Sequence, residues 1–176
     1  MACTIIVGGF FGDEGKGKIV AHIANRDRPS VISRGGVGPN AGHTVTIGTQ
    51  TYGVRMVPSG FVFRDADLCI GTGVLVDPRV FLREVEMLGV QGRMYVDRRC
   101  GIIEEEHIQR DRGSEHLSKK IGSTGTGCGP ANADRVLRLS RQAKGVPELS
   151  PFLADVPLKL NAAMDAGENV RRLRAF

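Results

Sequence analysis

The chain has 176 residues, 41% of them hydrophobic and 24% charged, which suits one globular domain, or a large piece of one, with its own core. Three of its five net positive charges sit at the end, in Arg171, Arg172 and Arg174, leaving the body about +2, and two tyrosines with no tryptophan offer no stacking platform for nucleic acid. No stretch is long and apolar enough to span a bilayer, the apolar start has no basic region or cleavage site, and the four scattered cysteines (Cys3, Cys69, Cys100, Cys128) read as reduced thiols, so a cytoplasmic protein is expected, with no membrane and no nucleic-acid partner.

The first element is Thr4-Ile5-Ile6-Val7, a β-branched apolar run closed by Gly8-Gly9 and expected as the central strand of a mainly parallel sheet. Next comes Gly12-Asp13-Glu14-Gly15-Lys16-Gly17-Lys18, followed by Ile19, Val20, Ile23 and Ala24 at helical spacing. Strand, glycine-rich turn and helix start form a phosphate cradle. Free backbone N–H groups at the helix N-terminus point at the anion, and the helix dipole favours its charge. The spacing matches a P-loop except at its last position, where Ile19 replaces the hydroxyl residue that coordinates Mg²⁺. Asp13 is then the candidate metal ligand, because a hard cation prefers carboxylate oxygen. The competing reading is a tight turn carrying a solvated charge cluster.

Val31-Ile32-Ser33 is expected as a second strand, emptying into the glycine-rich loop Arg34–Thr44, which holds Asn40 and His43. Val45 to Ile47 and Tyr52 to Val57 alternate around Gly48-Thr49-Gln50, the pattern of a β-hairpin. Leu68-Cys69-Ile70 is a further short strand. Asp77-Pro78 opens a helix with apolar face Val80, Phe81, Val85 and Leu88, ended by Gly89. Met94 to Val96 reads as a strand, and the highly charged stretch 104–120 as a solvated helix or flap.

A second glycine-rich loop runs from Gly122 to Pro130, with Ser123, Thr124 and Thr126 as hydroxyl donors. The next helix is expected over Ala131–Arg141, with Asp134 and Arg138 paired at i, i+4. Ser150-Pro151 opens a last helical region carrying Phe152, Leu153, Val156, Leu160 and Met164, which Pro157 should kink or split. The fold class expected is α/β: a P-loop-like, mainly parallel sheet flanked by helices, with the hairpin as an appendage.

In this order Gly-Asp-Glu-Gly-Lys-Gly-Lys, Asn-Ala-Gly-His-Thr and Ser-Thr-Gly-x-Gly-x-Gly-Pro-Ala with a trailing Asp-Arg resemble the motifs of adenylosuccinate synthetase. The resemblance runs from about Thr4 to Val170, and the compact members of the family are the most similar. It implies a purine ligase that couples IMP and L-aspartate at the expense of GTP, giving adenylosuccinate, GDP and phosphate. By the same resemblance Asp13 is the base that takes the N1 proton of IMP, His43 the general acid, and Lys16 the holder of the transferring phosphoryl. Mg²⁺ would be held by Asp13 and the Gly42 carbonyl. GTP contacts are implied for Gly12, Asp13, Glu14, Gly15, Lys16, Gly17, Lys18, Gly42, His43 and Thr44. IMP contacts are implied for Asp13, Glu14, Gly15, Lys16, Asn40, Ala41, Gly42, His43, Thr124 and Arg138. Arg138 would reach the IMP phosphate of a neighbouring subunit, which implies a homodimer.

The sequence departs from the family in three places. Thr126 stands where many members carry Arg, and Phe10-Phe11 replaces a polar–aromatic pair. After Val170 the family continues into a strand, a Glu-Gly-x-Gln-Gly loop and a long second half with the guanine and aspartate pockets. Here residues 171–176 read instead as a divergent basic tail, because three arginines are not expected to continue a buried strand. The reading is therefore the N-terminal part of the synthetase domain over 1–170. Its alternative is a non-catalytic nucleotide-binding or dimerising remnant, and a paralogous ligase acting on a guanine nucleotide is less well matched by Asp13 and His43.

Overall fold

The computed structural model describes residues 3–10, 12, 14–167 and 170–173. The strands are β1 (Cys3–Ile6), β2 (Val31–Arg34), β3 (His43–Ile47), β4 (Gln50–Val54), β5 (Asp67–Ile70), β6 (Leu75–Val76), β7 (Met94–Asp97), β8 (Gly101–Ile102), β9 (Leu153–Ala154) and β10 (Val170–Leu173). The α-helices are α1 (Lys16–Asp27), α2 (Pro78–Leu88), α3 (Glu105–Gly113), α4 (Cys128–Val136) and α5 (Val156–Asp165). Six strands form one sheet in the order β1-β10-β2-β5-β7-β9, and every neighbouring pair is parallel. β3 and β4 make a separate antiparallel hairpin, and β6 and β8 a short parallel pair.

Both faces of this sheet are covered over its middle strands, as a parallel sheet requires. Side chains alternate along each strand. Ile32, Leu68 and Ile70 join Val20 and Ala24 of α1, Phe81 and Val85 of α2 and Val54 of the hairpin in the main core. Val31 and Cys69, one step along, pack with Val156, Leu160 and Ala163 of α5. A third cluster, Leu75, Ile103, Ile108 and Ala131, seats α3 and α4. Local signals start and stop the helices. In α2 the Asp77 carboxylate accepts from the N–H groups of Arg79 (2.9 Å) and Val80 (3.3 Å), Pro78 sits in the first turn, and Gly89 leaves at φ 63°.

The α/β class with a mainly parallel sheet and a hairpin appendage is as expected. Five local expectations are corrected. β1 lies at the sheet edge rather than its centre, bonded only to β10 among the described residues. Ile5 and Val7 are accordingly 55% and 54% exposed. The strand also continues past Val170: residues 170–173 pair with β1 on one side and β2 on the other. Two flanking ladders supply backbone hydrogen bonds whatever the side chains are, and that outweighs the hydrophobic pattern. Residues 174–176 lie outside the described residues. The charged stretch 104–120 forms the helix rather than the flap over α3, but that helix is not solvated all round: His107, Ile108 and Asp111 are buried. α4 ends at Val136, short of Arg141, and Arg138 follows at φ 62°. Asp134 therefore pairs with His107 (3.1 Å) and Arg110 (2.8 Å) of α3, not with Arg138. Lastly, Pro157 neither kinks nor splits a helix. It lies in the first turn of α5, which Asp155 caps, where a missing N–H costs nothing.

Candidate active site

The phosphate loop leads from β1 into α1. Gly15 caps the helix at φ 73°, a left-handed conformation that glycine adopts freely, and no side chain caps the first turn. The N-terminus of α1 is thus open to an anion. Lys16 Nζ donates to Glu14 Oε2, and Glu14 Oε1 accepts from the Phe10 N–H at 2.7 Å. The hydrogen bond from Lys16, then that from Phe10, holds the Glu14 carboxyl below the usual range. The pair lies against Gly8, where a Cβ would fall 2.3 Å from Glu14 Oε2. Lys16 is therefore positioned but already neutralised, so an incoming phosphate competes with Glu14 for it.

His43 opens β3, opposite Val54 in the hairpin register. It packs directly on the first turn of α1: a Cβ on Gly17 would lie 2.7 Å from His43 Cβ. This close approach is the reason for glycine at that position. Burial, then the positive charges of Arg34 and Lys16, pushes the His43 imidazole down to about 4. At neutral pH it is an uncharged ring that can donate from one nitrogen and accept at the other.

Between these elements lies a cleft of about 770 Å³, large enough for a nucleotide. Phe10, Gly12, Glu14, Gly15, Lys16, Gly17 and Lys18 line one wall, and Val37, Asn40, Ala41, Gly42, His43 and Thr44 the other. The three glycine-rich loops are expected to converge on one cleft; two of them meet here, and the third, over 122–130, does not line it. Asp13, the expected base and metal ligand, lies outside the described residues. Thr124 and Arg138 do not line this cleft and are exposed. The second glycine-rich loop is tied instead to α3: Asp111 Oδ2 accepts from the Gly127 N–H (2.8 Å) and Arg112 Nε donates to the Gly125 carbonyl (3.0 Å). It reaches the Asn40 loop behind the cleft through Cys128, whose Sγ lies 2.8 Å from where a Gly38 Cβ would be.

Among the described residues no group of three His, Cys, Asp or Glu side chains could hold a metal by itself. That is compatible with Mg²⁺, which keeps several waters and binds through one or two protein oxygens plus substrate phosphates. The exposed Gly42 in the cleft wall, facing the phosphate cradle, suits that mode of binding. Two residues escaped the sequence reading. Arg34, at the end of β2, is 2% exposed, and Glu84, on the apolar face of α2, is 3% exposed. The available signal was a charge inside a buried pattern.

An open helix N-terminus, a loop lysine and a histidine gathered around one cleft at one end of a parallel sheet define an α/β protein with a P-loop-like turn. The family model "Adenylosuccinate synthetase" matches residues 5–170, and the chain belongs to that family. The Archaeoglobus fulgidus adenylosuccinate synthetase is 67% identical over 170 residues, covering 97% of this chain and 50% of the relative. The Methanocaldococcus jannaschii adenylosuccinate synthetase is 62% identical over 173 residues, again 97% of this chain and 50% of the relative. The fully ligated Plasmodium falciparum adenylosuccinate synthetase structure superposes with a TM-score of 0.86 at 20% identity, over 96% of this chain and 50% of that one. At that identity the likeness concerns the fold. The chain spans about half the length of the curated relatives it matches.

Proposed function

We propose that this chain forms the phosphate-binding half of a GTP-dependent ligase that joins L-aspartate to IMP. The observation that supports this most is the single cleft in which the Lys16 loop faces Asn40, Gly42 and His43. In this reading Asp13, from the phosphate loop, removes the N1 proton of IMP, and the 6-oxygen attacks the γ-phosphorus as GDP leaves. The aspartate amine then displaces phosphate from the 6-phosphoryl intermediate. Lys16 and the α1 N-terminus neutralise the equatorial oxygens, which is most of what phosphoryl transfer asks of a protein. His43, uncharged before substrate arrives, hydrogen-bonds the 6-oxygen and gains proton affinity as negative charge builds beside it. Mg²⁺ held by Asp13 and the Gly42 carbonyl would neutralise the γ-phosphate charge. Asn40 and Thr124 would contact IMP. Arg138, exposed beyond α4, would serve the IMP phosphate of a second subunit in a homodimer. The four free cysteines suit a reducing, cytoplasmic setting.

The second reading, a nucleotide-binding or dimerising piece without turnover, is favoured by the half-length match and the open edge of β1. Both are tested by one assay. The purified 176-residue chain is expected to make no adenylosuccinate from IMP, GTP and aspartate, yet to bind Mg·GTP weakly. Complete near-attack geometry contributes roughly 7–11 kcal/mol, and guanine and aspartate recognition are needed for it. Supplying the second half of the Archaeoglobus relative in trans should restore turnover that Asp13→Ala abolishes. Failure to restore it, with Mg·GTP binding intact, would favour the second reading.

A further inference from the structure

The guanidinium of Arg34 spends its hydrogen bonds on backbone carbonyls. Nη2 donates to Gly38 O (2.8 Å) and to Ala41 O (3.3 Å), and Nη1 donates to Arg55 O. Gly38 to Ala41 is itself a turn, closed by Ala41 N–H on Gly38 O (3.3 Å), and Asn40 Oδ1 accepts from the Gly38 N–H (3.1 Å). The carbonyls of the first and last residues of the turn that presents Asn40 therefore converge on one nitrogen. On the far side, Glu84 accepts from the N–H groups of Arg55 (2.6 Å), Met56 (2.9 Å) and Val57 (2.9 Å). Arg55 is thus gripped twice, by its carbonyl and by its N–H. Its neighbour Val54 is the ladder partner of His43.

Burying two charges is costly, and apolar residues of similar volume would serve packing as well or better. What the pair adds is direction. A planar five-donor fork reaches three carbonyls that no apolar side chain and no lysine could hold together. The carboxylate opposite collects three successive N–H groups and offsets the charge.

We propose that Arg34 and Glu84 act as one buried clamp that sets the turn bearing Asn40 and the hairpin end bearing His43 against α2. Both are positioning residues for the cleft, although α2 does not line it. The functional part of this inference rests on the substrate site proposed above; the mechanical part does not.

The test uses the 176-residue chain with Arg34→Lys, Arg34→Met and Glu84→Gln, read by residue-resolved amide exchange and by Mg·GTP titration. In each variant, amides of 38–44 and 54–57 should exchange at least about tenfold faster, while those of β5 and β7 keep their protection. Arg34→Lys keeps the charge but loses the fork, so its loop should open almost as far as that of Arg34→Met. Mg·GTP affinity should fall about tenfold alongside. Acceleration spread evenly over the sheet, unchanged loop amides, or collapse of all three variants would overturn the clamp and leave a core role only. If Arg34→Met alone fails to fold, the other two variants decide. A wild type that does not bind Mg·GTP would count against the proposed function, while the exchange pattern still decides the clamp.

Discussion

β1 and β5 run parallel in the same sheet and both lead into glycine-containing loops, yet they live in different surroundings. Leu68, Cys69 and Ile70 of β5 are fully buried, between β2 and β7 and beneath helices on both faces. Ile5 of β1, as apolar as any of them, is 55% exposed. Burial is set by the neighbours a strand finds, not by its own hydrophobicity. The candidate cleft stands towards the open end of the sheet and the core in its middle.

Breaking the middle should cost most. Phe81 is fully buried and stacks edge-on with Phe152 at a 5.1 Å centroid distance. Phe81→Ala should lower unfolding free energy by about 3–5 kcal/mol in a urea titration. A loss below about 1 kcal/mol would mean the core is not where the structure puts it.

At the open end the expected effect falls on binding instead. Lys16→Ala should leave the urea midpoint almost unchanged and weaken Mg·GTP by about 10–100-fold, the range of a charge-assisted hydrogen bond. Equal loss of stability and affinity would erase the contrast between the two regions.

A smaller effect is expected from pH. His43 titrates at about 4 in the folded chain, against about 6.5 when unfolded. Between those values the unfolded chain binds the extra proton, so stability is full above 6.5 and declines as pH falls towards 4. After allowance for partial exposure the loss is about 1–2 kcal/mol. His43→Asn should flatten the slope of Tm against pH over that interval; an unchanged slope would assign it to other groups.

Least of all should happen on Ile5→Ser. Unfolding free energy should move by no more than about 0.5 kcal/mol, while light scattering shows less self-association through the exposed edge. A drop as large as that of Phe81→Ala would show β1 to be buried in solution.

Much of the site could be read without coordinates, because its determinants are local. Gly15 and Gly17 in the phosphate loop and Asp77 and Gly89 around α2 act within a turn of their own positions, through φ, capping and close approach. Pro157 misled because the same ring that breaks a helix interior also opens a helix, and only the capping Asp155 distinguishes the two. The length of α4 misled because Asp134 turns to His107 and Arg110 on another helix.

The sequence by itself determined the parallel α/β class and the phosphate loop with its lysine, from periodicity and glycine placement carried by neighbouring residues. That this loop meets the Asn40–His43 segment was implied only by the resemblance to the synthetase family, which led to the same expectation for the loop over 122–130. Only the tertiary structure decided that β1 stands at an edge, that residues 170–173 enter the sheet beside it, and that Arg34 and Glu84 hold the cleft from behind. Each depends on which backbone groups, distant in the chain, come within hydrogen-bonding reach. A carbonyl or an N–H has the same chemistry at every position, so nothing in the letters marks the ones that a buried charge will find.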